Sequence, residues 1–77
     1  MNLFATLKAK NSNNKKPIIL SGHTDVVPVS KGWTSDPFTA TIREDKLYGR
    51  GSCDMKGFIA CTLAYAPIYS KSNLDRD

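Results

Sequence analysis

The chain has 77 residues, is 40% hydrophobic and 23% charged, and carries a formal net charge of +4. That length allows one small domain with a thin core, and that apolar content excludes a disordered chain. No apolar run approaches the ~20 residues that span a bilayer, and the opening "MNLFATLKAK" lacks the apolar core and cleavage site of a signal peptide, so a cytoplasmic location is expected.

In chain order, residues 2–9 alternate Leu3, Ala5, Leu7 and Ala9 against Phe4, Thr6 and Lys8, which predicts a strand. "KNSNNKKP" follows as a turn, because Asn and Ser tolerate turn backbone angles. The charge excess sits around this turn. Residues 1–24 hold Lys8, Lys10, Lys15 and Lys16 and no acid, and the rest of the chain is balanced. A solvated hairpin loop explains such a cluster; nucleic-acid binding would want a wider basic patch with aromatics between the charges.

"PIILSG", residues 17–22, is a continuous apolar run with proline at its entry, the position where a strand tolerates it. It reads as a strand buried on both faces and paired antiparallel with residues 2–9. Residues 28–37 form a long loop. Residues 38–43 and 46–49 are expected to be two short strands joined by a tight turn at Glu44 and Asp45. "GRGSCD" is a second loop, and residues 54–66 read as a helix. Met55, Phe58, Ile59, Thr62, Leu63 and Ala66 follow the spacing of one apolar face, Asp54 stands where an N-cap would, and Pro67 is expected to end or kink the helix.

This order, hairpin, short hairpin, helix, predicts an α/β fold. A doubly buried strand needs helices on both faces, and only one helix is present. The chain therefore reads as one incomplete piece of a larger α/β domain, residues 1–77, with no second domain. Cys53 and Cys61 match neither a CxxC motif nor a disulfide framework; both are expected reduced, with Cys61 packed in the helix.

The residues that could carry chemistry are few. His23 is the sole histidine, and Asp25 lies two positions on, at the carboxyl end of the expected strand, where ligands of open α/β sheets collect. A metal-bound imidazole usually donates its other N–H to a carboxylate, and an HxD pair can supply that unit; a polar loop after a buried strand is the plainer reading. Asp54 opens the helix, where the helix dipole keeps a carboxylate ionised; it suits a metal-bridging role or a simple cap. A catalytic zinc takes three protein ligands plus water. With one His and one Glu, Glu44, any such site is incomplete within this sequence. "WTSDPF" could fold the loop over the core or wall a pocket. Arg50 could pair with a carboxylate or meet an anionic substrate. Ser52 and Cys53 have no second histidine to serve as their base, and His23 is better placed for a metal, so the sequence argues against nucleophilic catalysis.

Taken together, "SGHTDVVPV", "WTSDPF" and "KLYGRGSCDMKGFIA" resemble the amino-terminal part of the catalytic domain of the M20 family of dinuclear-zinc amidohydrolases and peptidases, over residues 2–66. The resemblance implies two Zn²⁺ ions per complete site, with Co²⁺ able to replace one. It implies His23 as a first-metal ligand, Asp25 as the acid that orients it, and Asp54 as the carboxylate bridging both metals, with a cis peptide at Asp54–Met55. The family's general-base glutamate, an adjacent glutamate ligand, a further acidic ligand, a later histidine and the lid or dimerisation domain are not in this sequence. The implied substrate is a small N-acyl amino acid. Full-length relatives are homodimeric, so the implied partners are a second copy and, for this chain, the remainder of the enzyme as a separate chain, with neither nucleic acid nor membrane. The isolated chain is expected to be inactive.

Overall fold

The structure is a computed structural model that describes residues 1–12 and 14–77; Asn13, inside the expected first turn, lies outside the described residues. Its regular elements are strand β1 (Thr41–Arg43), strand β2 (Lys46–Tyr48), a wide π-type turn at Ser52–Lys56 and helix α1 (Gly57–Lys71). Two compact units are present: Gly22–Ala60, and Met1–Ser21 together with Cys61–Asp77.

Within Gly22–Ala60, β1 and β2 form an antiparallel hairpin with Thr41 opposite Tyr48, Ile42 opposite Leu47 and Arg43 opposite Lys46. The connection is the expected two-residue turn, with Glu44 at φ 50° and Asp45 at φ 58°. Positive φ at both central residues gives a type I′ turn, whose twist matches that of the flanking strands. The Arg43 guanidinium stacks on the Tyr48 ring at 4.5 Å. The strands are shorter than the expected 38–43 and 46–49, because the flanking backbone bonds elsewhere. The Asp36 carboxylate accepts the Phe38 N–H at 2.9 Å and the Thr39 hydroxyl at 2.8 Å, folding the entry into a turn. Arg50 donates its N–H to the Pro37 carbonyl at 2.7 Å, outside the β1–β2 ladder.

The first hairpin does not form as expected. Among the described residues, 2–9 and 17–22 make no strand ladder. Ile18, Ile19 and Leu20 are 65%, 74% and 56% exposed, so no layer covers either face of the segment expected to be buried on both. A bare two-stranded ribbon is marginal in water. The chain's last residue supplies acceptors instead: Ala9 N–H donates to the Asp77 carboxylate at 2.7 Å, and Ile18 N–H donates to the Asp77 backbone carboxyl at 2.9 Å. In the same unit Lys15 pairs with Asp75. That ammonium, with Arg76 beside it, holds the Asp75 carboxyl below the usual carboxylate range.

The helix begins later and ends later than expected, at 57–71 rather than 54–66. Asp54 (φ −126°, ψ 94°) and Met55 (φ −139°, ψ 35°) are not helical. The N-cap is Gly51, at φ 80° and without a side-chain cap bond, so Asp54 is not the cap. The Asp54–Met55 peptide is cis. Helix α1 continues through Pro67 to Lys71. Near its end Ser70 Oγ donates to the Pro67 carbonyl and Ser72 Oγ to the Ile68 carbonyl, each at 2.8 Å. Tyr65 and Tyr69 stack across the proline at 5.9 Å between ring centres.

No hydrophobic side chain among the described residues is fully buried. Only part of the expected helical face is covered: Met55, Ile59, Thr62 and Ala66 are half-buried, whereas Phe58 and Leu63 are exposed. Cys61 is exposed rather than packed, and it and Cys53 are free thiols. No described helix is long and apolar enough to cross a membrane.

Candidate functional site

The site lies wholly within Gly22–Ala60 and is assembled from three stretches: the segment just after the apolar run, the loop at 28–37, and the turn between β2 and α1. A cleft of about 490 Å³ is lined by His23, Asp25, Val26, Trp33, Arg50 and Asp54, among others. Gly22 sets the entry. A side chain there would lie 3.0 Å from Ile59 Cγ1 and 3.1 Å from Met55 Cε, so glycine lets the backbone leading to His23 pack against the start of the helix. Gly51 turns the chain toward Asp54 in a left-handed conformation that only glycine adopts cheaply.

The structure brings together all three residues that the sequence singles out. His23 Nδ1 lies 3.1 Å from the Asp25 backbone carbonyl and 3.3 Å from Asp25 Oδ1. His23 Nε2 lies 3.4 Å from Asp54 Oδ1. The imidazole thus stands between two carboxylates, one at each ring nitrogen. A proton on Nδ1 has acceptors on Asp25, which leaves the Nε2 lone pair toward Asp54. The His23 ring is half exposed and the two carboxylates nearly fully so, at 92% and 85%. Nothing described shields them, and an exposed pair at these distances contributes little to stability. Among the described residues, no three His, Cys, Asp or Glu side chains converge as a metal cage. Glu44 sits in the β1–β2 turn and does not line the cleft.

Trp33 forms part of the cleft wall, and Phe38 stays 77% exposed, so of the two rings in "WTSDPF" only the indole lines it. Among the described residues Arg50 meets no carboxylate, so the first of its two expected readings, an ion pair with a carboxylate, is not seen. Its guanidinium carbon lies 5.3 Å from the Trp33 ring centre, and Nη2 reaches the Pro28 carbonyl at 3.4 Å. Sequence reasoning missed this contact, because residues 17 apart on two loops carry no periodic signal. Ser52 and Cys53 line the same cleft.

The site is a loop-borne HxD pair meeting an acid at the foot of a helix in a mixed α/β piece, and comparison with known proteins identifies the family. The chain belongs to peptidase family M20/M25/M40, whose family model matches residues 19–77 and so includes His23, Asp25 and Asp54. Members of this family are hydrolases and generally metal-dependent. The mixed α/β piece seen here is compatible with part of that domain.

Among individual relatives, the chain is similar to a succinyl-diaminopimelate desuccinylase of Gluconobacter oxydans, 49% identical over 63 residues, which is 82% of this chain and 16% of the relative. It is equally similar to an acetylornithine deacetylase of Photorhabdus laumondii, 53% identical over 60 residues, 77% of this chain and 14% of the relative. A second desuccinylase, from Polynucleobacter necessarius, is 52% identical over 61 residues. "SGHTDVVPV" and "CDMKGFIA" suggest the deacetylase, but relatives of both names match at comparable identity, so that preference is not supported. The matched stretch is about one sixth of the length of these relatives. No solved structure matches the chain.

Proposed function

We propose that this chain contributes the first imidazole ligand and the bridging carboxylate of a dinuclear zinc amidohydrolase that deacylates a small N-acyl amino acid. The observation that carries this reading is the 3.4 Å between His23 Nε2 and Asp54 Oδ1. That distance is long for a hydrogen bond, which prefers about 2.7–3.2 Å. It suits two ligands of one cation: with zinc bonds of about 2.1 Å, the edge of a tetrahedron is about 3.4 Å. A charge-dense cation between them would also relieve the opposition of the imidazole lone pair and the carboxylate.

Each residue then has a distinct task. Asp25 accepts the Nδ1 proton, which fixes the tautomer and ring orientation and raises the basicity of Nε2. Asp54 has its second oxygen free to reach a second cation. Two Zn²⁺ ions, one replaceable by Co²⁺, would supply polarisation of the acyl carbonyl and acidification of a water. The glutamate that takes and returns the proton is not among this chain's residues. The remainder of such an enzyme would have to supply it together with the other ligands.

The substrate reading follows the relatives' names. Acetylornithine, with arginine biosynthesis in the cytoplasm as its setting, stands beside succinyl-diaminopimelate, and both are N-acyl amino acids. The test is calorimetric titration of Zn²⁺ into the chain, its His23→Ala and its Asp54→Ala variants. We expect one weak binding event lost in both variants. Equal binding by all three proteins overturns the reading.

A further inference from the structure

We propose that Arg50 is a positioning residue that pins the loop at 28–37 to the turn leading into Asp54, and so holds Trp33 as a wall of the His23 cleft. Contacts to the start, the middle and the end of that loop converge on this one residue. Its Nη2 donates to the Pro28 carbonyl at 3.4 Å, its guanidinium lies 5.3 Å from the Trp33 ring centre, and its backbone N–H donates to the Pro37 carbonyl at 2.7 Å. Arg50 and Trp33 both line the cleft that contains His23, Asp25 and Asp54.

The chemistry suits arginine specifically. A guanidinium stacks on an indole with its planar face and still presents N–H groups at its edge; an ammonium does not combine the two. No described carboxylate pairs with Arg50, so charge neutralisation is not its role. Its Nε is shielded from solvent with no acceptor. An unmet, shielded donor is unfavourable, so the ring and carbonyl contacts are what keep the side chain there. Three residues separate Arg50 from Asp54, and any drift of the loop moves the Trp33 wall of the cleft. The positioning of the cleft rests on the metal reading above; the pinning of the loop does not.

Trp33 and His23 are the only residues of their types, so their signals are unambiguous. The test uses Arg50→Met and Arg50→Lys, with Trp33 acrylamide quenching, Co²⁺ titration by visible absorption and the His23 ring resonances as readouts. In Arg50→Met we expect a red-shifted, more quenchable Trp33, a displaced His23 ring signal and Co²⁺ binding weakened about 10-fold, with helix content unchanged. Arg50→Lys should recover only part of each. Quenching and Co²⁺ affinity equal to wild type in Arg50→Met overturn the proposal. If wild type takes up no Co²⁺, the metal reading fails and Trp33 quenching alone decides the pinning: a rise supports it, no change overturns it. If Arg50→Met loses its helix signal, Trp33→Leu and Trp33→Phe carry the test. The His23 ring signal should move in the leucine variant and stay in the phenylalanine variant; equal behaviour overturns the proposal.

Discussion

Replacing Gly51 with alanine should destabilise Gly22–Ala60 more than the same change at Gly32. Both glycines have positive φ, 80° and 101°. An L-residue in such backbone costs about 1–2 kcal/mol at either position. The surroundings differ. A Cβ at Gly32 meets nothing within 4 Å, whereas one at Gly51 stands 2.7 Å from both Val26 Cγ1 and Lys56 Nζ. The lysine end can swing aside. Val26 is short and sits beside Asp25, so its displacement adds an overpacking cost of about 1–2 kcal/mol. With a urea dependence of roughly 1 kcal/mol per M for a small protein, Gly51→Ala should unfold about 1–2 M earlier than Gly32→Ala. Trp33 emission during urea titration reports this unit directly, as it holds the only tryptophan. Equal midpoints for the two variants would refute the packing ascribed to Gly51.

Other consequences follow from the same geometry. Asp25→Asn should weaken Zn²⁺ binding about 10-fold while leaving His23 and Asp54 in place, measured by calorimetry. The Phe38 N–H and the Thr39 hydroxyl hold the Asp36 carboxyl below the usual carboxylate range. Its contribution to stability is therefore present above the unfolded value near 3.9 and lost as pH falls through the lower folded value. Carboxyl NMR titration should find Asp36 below the usual carboxylate range, and Thr39→Ala should raise it. The chain alone should not hydrolyse N-acetyl-ornithine or N-succinyl-diaminopimelate with zinc added; turnover of either would mean that the proton acceptor is already in this sequence.

How much the sequence disclosed depends on how local each feature is. The β1–β2 turn was legible because two consecutive residues must adopt positive φ and the strands beside it pair at once. The meeting of His23, Asp25 and Asp54 was legible through motif order rather than periodicity: nothing in the spacing of 31 residues between His23 and Asp54 brings them together. The first hairpin was misread because an apolar run such as "PIIL" signals burial only where some layer covers it, and here the backbone N–H groups of Ala9 and Ile18 turn to Asp77. The helix start was misplaced because Asp54 looks like a cap in sequence, while its carboxylate is directed at an imidazole and Gly51 takes the cap position. Pro67 is expected to end or kink the helix because proline lacks a donor; the helix does not end there but continues to Lys71.

The central claim is that His23 presents Nε2 to a cation it shares with Asp54 while Asp25 keeps the proton on Nδ1. Long-range ¹H–¹⁵N correlation of the single, ¹⁵N-labelled imidazole, recorded with and without Zn²⁺, reads each nitrogen separately. Zinc should move Nε2 to a metal-bound shift and leave Nδ1 protonated, and Asp54→Ala should abolish the change. A ring whose nitrogens do not respond to zinc, or one that binds it through Nδ1, would contradict the account.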